Sequence, residues 1–459
     1  MGILSRLFTR PAAPPQVRRF DGAAGGRRGF GMGSFGRVGT ETMLAGPTLR
    51  KRARYAAANN AWIANAVGNW TGALVGSGIV PTADAAAVKS FNLWAETADA
   101  DGRTDLWGLQ AEIARGLVID GEAFAQIVDS DDGPRLRLIP PELVDESMTR
   151  DLGDGRFIVS GVEFNADGTR AAYHILPARP TDLFATTGTP VRIAADEILH
   201  VFKPLGAGQV RGVSWLAPII LPANELDQLQ DAWAVGAKVA AMLCGFVVNQ
   251  NATGGDDPFE GQDLPSLEPG TLQRLAGGWD VRFTAPAQVS QVDPLLKLGL
   301  RQMAAGMGMP EYMLSGDLSD ANYSSLRAGL LPFRQRVEQV QYHCLVPQLL
   351  NPVWRIVTRW AAAVGDLAEF ESDPRRFLSC EWLPPRPLQV DPLKDVQATV
   401  AELEAGLTSR KKAVAERGWA LADLDAEIAS DAFQRRPASP VTDDADDGED
   451  SKEQKGIQS

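Results

Sequence analysis

Residues 306–331 read GMGMPEYMLSGDLSDANYSSLRAGLL, a glycine-punctuated loop that runs straight into a long amphipathic helix beginning near Tyr323. Gly306, Gly308 and Pro310 break the preceding helix, because glycine has low helix propensity and proline lacks the N–H and clashes with the previous turn. Asp317, Asp320 and Asn322 offer side-chain acceptors where the next helix needs its first amides capped. The glycines reach unusual torsions at no cost and the polar residues bury little, so the spacing predicts a mobile connector.

Upstream of this loop the pattern is helical. Leu226, Leu229, Trp233, Ala237, Ala240 and Leu243 form one stripe, with Glu225, Asp227, Asp231 and Lys238 off it. A Gly/Pro/Asp-rich stretch at 249–278 follows, then a candidate strand pair at 279–283 and 289–292, and residues 295–307 return to helical period. Two helices therefore flank a small insertion, and the order predicts that they lie antiparallel. Downstream, Leu326, Leu330, Phe333, Val337, Val340, Cys344 and Leu350 share one side of a helix interrupted by Pro332 and Pro347, which predicts a kink or a break. The stripe resumes with Val353, Ile356, Val357 and Trp360. Asp391-Pro392 opens a further helix closed by Gly406, Thr408 or Ser409 caps another that ends at Gly418, and a third runs near 421–433.

Before residue 220 the chain alternates between the two periods. Trp62, Ile63, Ala66, Val67, Trp70 and Leu74 predict an amphipathic helix over 58–74, in which Asn60, Asn65 and Asn69 make a poor membrane segment, and Gly76 and Gly78 end it before a short strand at 79–81. A helix over 105–117 leads to a strand where Phe124, Gln126 and Val128 alternate with Ala123, Ala125 and Ile127. Further strands at 136–139, 157–159, 172–176, 191–193 and 198–202 are separated by turn pairs such as Asp154-Gly155 and Asp167-Gly168. This is a mixed α+β domain with an antiparallel sheet. The first 55 residues, rich in arginine and glycine, read as a basic, flexible arm, and residues 443–459 as an acidic, disordered tail.

A chain of 459 residues exceeds one core, since cores stop growing at about 250–300 residues, so several modules follow. Three cysteines, each alone in sequence, supply neither a disulfide framework nor metal spacing and fit a reducing compartment. No apolar run reaches the roughly 18 residues needed to span a bilayer, and the N-terminus has no signal-peptide core. A net charge of −13 argues against gripping nucleic acid over a broad basic surface, though not against DNA that passes by.

Chemical motifs are thin. Gly31-Met32-Gly33-Ser34-Phe35-Gly36 matches a dinucleotide pattern by letter, but no strand precedes it and no helix follows. No Walker loop, nucleophile elbow or calcium loop occurs, which argues against an ATP-driven motor or a hydrolase. His174, His200 and His343 lie apart with neither metal spacing nor a nucleophile, so packing is the reading for them. Trp62, Trp70, Trp233 and Trp360 fall on apolar stripes suited to core or subunit-interface burial. No catalytic residue, cofactor site or metal site is expected.

The order Asn59-Asn60-Ala61-Trp62, Asp120-Gly121-Glu122-Ala123-Phe124, Leu138-Ile139-Pro140-Pro141-Glu142, Ile198-Leu199-His200-Val201-Phe202 and Arg211-Gly212-Val213-Ser214-Trp215-Leu216-Ala217-Pro218 resembles the portal proteins of tailed bacteriophages, lambda family. The likeness continues through Gly306-Met307-Gly308-Met309-Pro310, Asn322-Tyr323-Ser324-Ser325-Leu326-Arg327 and Asp391-Pro392. It covers roughly residues 56–432.

The resemblance implies an α+β portal fold with a mixed α+β wing, a two-helix stem, a small α/β clip, a long kinked helix and a C-terminal helical crown. Combined with composition, it divides the chain into a basic arm (1–55), wing (56–220), stem helix (221–245), clip (246–293), second stem helix (294–309), tunnel loop (310–322), kinked channel and wing helices (323–387), crown (388–434) and acidic tail (435–459). The tunnel loop would carry Pro310, Ser315, Gly316, Asp317, Asp320 and Asn322. Glu225, Asp231, Lys238, Lys297 and Arg301 are candidates to face a channel. Implied partners are identical copies in a twelvefold ring, the terminase large subunit, head-completion or connector proteins, major capsid and scaffold proteins, and double-stranded DNA in transit, with no membrane. The implied location is the portal vertex of a virion assembled in host cytoplasm. A ring-forming head or tail adaptor that never meets terminase is the alternative, and it lacks the helix–insertion–helix order.

Overall fold

The computed structural model of the chain describes residues 36–177, 188–241, 245–249, 279–283, 292–319, 323–385, 392–415, 417, 419 and 421–431. Helix α1 (Val38–Asn59) places Ala45, Leu49, Ala53 and Ala57 on one stripe, and all are buried. Asn60 then leaves helical torsions, and its side-chain oxygen accepts from the Ile63 amide, so it caps α2 (Ala61–Val75). Gly76 ends α2 ahead of β1 (Val80–Thr82). Asp84 caps α3 (Ala85–Ala95) and Asp105 caps α4 (Leu106–Ile119), each by accepting an amide hydrogen bond. Leu106, Leu109, Ile113 and Leu117 of α4 are buried, and this helix packs along α2.

Strands β2 (Glu122–Ser130), β3 (Gly133–Ile139), β4 (Arg150–Gly153), β5 (Arg156–Val159), β6 (Val162–Phe164), β7 (Arg170–Ile175), β8 (Val191–Ala194) and β9 (Ile198–Phe202) make two antiparallel sheets, ordered β3-β2-β9 and β4-β5-β6-β7-β8. β2 is central in the first, with Phe124 opposite both Ile139 and His200. Its alternation serves two cores. Ala123, Ala125 and Ile127 face the large helical cluster, while Phe124 joins Ile139, Val144, Val162, Tyr173, Ile175 and Ile198 in a smaller one between the sheets.

Helix α5 (Ile220–Ala241) leads away to the antiparallel pair β10 (Gly245–Asn249) and β11 (Trp279–Phe283), and α6 (Val292–Met307) returns beside α5. Gly308, at φ 67°, ends α6 before the short α7 (Glu311–Ser315). Helix α8 (Tyr323–Val340) passes into ten π-helical residues (Gln341–Leu350) and then α9 (Asn351–Ala363). α10 (Pro374–Leu378) precedes β12 (Glu381–Leu383), which pairs antiparallel with β1. α11 (Pro392–Glu404), α12 (Arg410–Ala415) and α13 (Leu421–Ser430) close the described chain.

Several expectations are corrected. Residues 38–55 are not a flexible arm but most of α1, because small apolar residues four apart outweigh the arginines between them. Residues 58–74 are two helices divided at Asn60. The partner of Trp279–Phe283 is β10, not 289–292, since Val292 already opens α6. Pro332 and Pro347 do not break the long helix: the first lies within α8 and the second within the π segment, whose wider turns accommodate a ring and a missing N–H. Among the described side chains of the expected α5 stripe Leu226 alone is buried, Leu229 and Trp233 are half-buried and Ala237 is exposed, while Ala240 and Leu243 lie outside them. Residues 1–35, Cys244, most of the insertion, Asp320, Asn322, Asp391, Gly418 and 432–459 lie outside the described residues.

Trp354 of α9 is 1% exposed, lies 5.0 Å from Phe91 and 6.3 Å from Trp382 between ring centroids, and donates to the Phe377 carbonyl. It joins α3, α9, α10 and β12. Trp354→Ala is expected to lower unfolding free energy by about 3–5 kcal/mol in urea denaturation; a loss under about 1 kcal/mol would show that this corner is not packed as described.

Candidate functional site

Among the described residues the most deeply buried charged side chain is Glu122, 0% exposed on the first residue of β2. Arg211 reaches it through Nε at 3.0 Å and Nη2 at 2.7 Å, Arg50 of α1 through Nη2 at 2.9 Å, and the Gly212 amide at 2.7 Å. His200 Nε2 lies 3.1 Å from Oε2, the same carboxylate oxygen that the Gly212 amide reaches. Arg211 also donates to the carbonyls of Pro141 and Ser160, and Arg50 to Glu146. One buried charge thus ties α1, both sheets and the segment that leads into α5. Burial by itself would raise the Glu122 carboxyl, but the Arg211 charge and the His200 hydrogen bond hold it far below the usual range.

Backbone geometry at this junction demands glycine twice. Gly121 has φ 87°, and a Cβ there would sit 2.0 Å from the Val213 carbonyl carbon; a Cβ on Gly212 would sit 2.2 Å from the Gly121 oxygen. The Asp120-Gly121-Glu122 and Arg211-Gly212-Val213-Ser214 stretches therefore pass back to back. Nothing in their local periodicity announces this. The available signal is a glutamate and an arginine set among apolar neighbours, where a charge must find a partner.

His200 is stacked between Phe124 and Phe202, 4.1 and 4.7 Å between centroids. Burial drives its pKa down from 6.5 to about 4 against the opposing pull of Glu122. The ring is therefore neutral near pH 7 and donates Nε2–H to Glu122, while Nδ1 accepts from the Tyr173 hydroxyl at 3.4 Å, so this contact is a hydrogen bond and not an ion pair. His174 meets Glu163 at 3.0 Å on the outer sheet. Burial raises the thiols of Cys344 and Cys380, the latter to about 12, which suits neither for nucleophilic work. Among the described residues no group of His, Cys, Asp and Glu is placed to hold a metal ion.

The other candidates lie on the α5–α6 hairpin and in the segment after it. A Cβ on Gly299 would stand 3.0 Å from Leu226, which sets the close approach of the two helices. Glu225, Asp231, Lys238 and Arg301 are exposed, and Lys297 pairs with Asp293 at 3.6 Å one turn away. Asp227, off the apolar stripe as expected, is exposed and also accepts from Asn60 Nδ2 at 2.9 Å, which ties α5 to the cap of α2. Pro310 and Ser315 do not belong to an open loop. Pro310 precedes α7, Ser315 ends it, and Leu314 between them is 0% exposed. Gly316 follows with φ 75°, and Asp317, whose carboxyl the Ser319 hydrogen bonds hold below its ordinary value, is exposed.

With this geometry in view, comparison with known proteins is informative. The family described as "Phage portal protein, lambda family" matches residues 34–341. The chain is similar to the probable portal protein of Halomonas phage phiHAP-1, 25% identical over 75% of this chain and 69% of that one. It is similar also to portal protein B of Escherichia phage lambda, 23% identical over 70% of this chain and 67% of that one. Among solved structures, a chain in the virion of a native gene transfer agent particle aligns with 81% of this chain and 91% of its own length, at 15% identity and a TM-score of 0.46.

The folded pKa of His200 lies below its ordinary value, so the unfolded chain binds more protons between about pH 4 and 6.5, and the stability this group allows is complete above that window and lost on descending through it. The shift corresponds to about 3 kcal/mol. His200→Gln should flatten the decline in urea-unfolding free energy between pH 6.5 and 4 relative to the parent chain; identical slopes would place the titration elsewhere. Glu122 acts in a lower window, its contribution being present above about pH 4.5 and lost below it.

Proposed function

The chain belongs to the lambda family of phage portal proteins, and on that premise we propose that identical copies form the ring-shaped channel, twelvefold, at one vertex of a capsid. Double-stranded DNA enters through it during packaging and leaves through it on ejection. The α+β region with its two sheets acts as the wing, α5 and α6 as the stem, β10 and β11 as part of the clip, and α11 to α13 as the crown. The clip end is the docking place for the terminase large subunit and later for head-completion proteins, and the wing meets major capsid and scaffold proteins. No catalytic group is required, because the work is positioning and the energy comes from the motor.

The observation that carries this reading is the hairpin of α5 and α6. Each helix packs one apolar face inside the chain and leaves another open: Val235 is 58% exposed on α5 and Leu298 62% exposed on α6. Apolar positions repeated along a projecting hairpin suit a head-to-tail interface, in which the α5 side of one copy covers the α6 side of the next and the ring closes by rotation. Glu225, Asp231, Lys238, Lys297 and Arg301 are the charges left near the bore. Acidic groups keep a polyanion from adhering, and a few cations damp its motion.

Negative-stain microscopy of the purified chain should show rings with a central hole, and a chain that stays monomeric under all assembly conditions would overturn the proposal. In particles, deleting residues 316–319 is expected to shorten the packaged DNA without preventing ring formation. Full-length packaging by that deletion would remove the loop from the mechanism.

A further inference from the structure

We propose that Asn65 and Asn69 of α2 form a two-amide latch that fixes the base of the tunnel loop, so that the movable segment begins at Gly316 and not at Pro310. The inference rests on the portal reading of this segment and adds to it the residues that position the loop. It starts from an unmet need. The last carbonyls of any helix lack intrahelical partners, and in α7 the Tyr312 carbonyl is taken by the Gly316 amide, which leaves those of Met313 and Leu314. Asn65 Nδ2 donates to both, at 2.9 Å each, and Asn69 Nδ2 donates to the Met313 carbonyl at 2.6 Å.

The two asparagines stand one turn apart on α2, and Asn69 Nδ2 also lies 3.1 Å from Asn65 Oδ1, so each orients the other. Neither is in the core: Asn65 is exposed and Asn69 half-buried. Their placement is therefore not explained by packing, and removing them opens no cavity. Around them the same helix holds the end of α6, through Trp70 Nε1 to the Met307 carbonyl at 3.2 Å. Among the described residues the hydrogen bonds from α2 to this segment run from Met307 to Leu314. Beyond them Gly316 adopts left-handed torsions with nothing within 4 Å of where a Cβ would stand, and Leu318 is 58% exposed. After Leu314 the hydrogen bonds described for this segment are its own, Asp317 N to Ser315 Oγ at 3.1 Å and Ser319 N to Asp317 Oδ1 at 2.9 Å, so ties to α2 give way to local turns, and the change falls at Gly316.

Hydrogen–deuterium exchange on the full-length chain tests this directly, comparing the parent, N69A and N65A/N69A. The latch predicts that amides in 312–319 exchange about tenfold faster in the double variant and less so in N69A, the scale set by a few modest hydrogen bonds. It also predicts unchanged exchange in β2 and β9 and an unchanged thermal midpoint, which a merely structural role would lower. Parental exchange in 312–319, or loosening spread evenly over the chain, overturns the latch. Should the double variant fail to fold, N69A alone decides on the same criteria. Packaged DNA length in particles separates the two readings. Shortened DNA with a loosened 312–319 supports both, whereas unchanged length with the same loosening leaves the latch standing and removes the tunnel-loop role.

Discussion

A buried carboxylate with nowhere else to go organises this chain. Glu122 accepts from Arg211, Arg50, His200 and the Gly212 amide, groups carried by an incoming segment, a helix and a strand. Desolvating a carboxylate costs several kcal/mol, so the arrangement persists only with all partners in place, and removing one typically costs about 3–5 kcal/mol. Such a network adds little net stability over an apolar core of the same shape. What it supplies is registration, because this packing of α1, the two sheets and the lead-in to α5 brings four partners from separate elements onto one carboxylate.

The consequence is a rigid platform from which the α5–α6 hairpin projects. α2 extends that rigidity toward α7 and α8. Its asparagines hold α7, its Trp70 packs against Phe333 of α8 at 4.8 Å between ring centroids, and its last carbonyls accept from the Gln341 side chain at the start of the π segment. Gln348 at the other end of that segment accepts from the Phe202 amide of β9. The π turns thus sit between two tertiary ties, and Pro347 lies among them. A wider helix that tolerates a proline and is pinned at both ends keeps α8 and α9 on separate faces of the core without a break in the chain.

Membership of the portal family gives this rigidity a purpose. A ring needs subunits whose interfaces stay in register while a polymer moves past them, and projecting hairpins with open apolar faces need neighbours. α7, tied to α2 through Asn65 and Asn69, gives way after Gly316 to exposed residues held by local turns.

The amino-acid sequence by itself determined whatever depends on near neighbours. Period-two alternation marked β2, Gly76, Gly308 and Gly406 marked helix ends, and the helix–insertion–helix order was readable from stripe and turn residues, whereas α3 and its Asp84 cap were not read. Only the tertiary structure decided the rest. Arg50 and Arg211 read as ordinary charges until they meet Glu122, 72 and 89 residues distant in sequence. Likewise Asn60 reads as a helix-interior polar residue until Asp227, 167 residues away, receives its amide. Residues 38–55 looked like an arm because arginines dominate a local window, and residues 310–315 looked like a loop because their asparagine partners lie on α2. The physical reason is common to all of them. Local torsional preference and periodicity act within a few residues, whereas the satisfaction of buried charges and orphan carbonyls is settled by whichever distant group the fold brings within 3 Å of them.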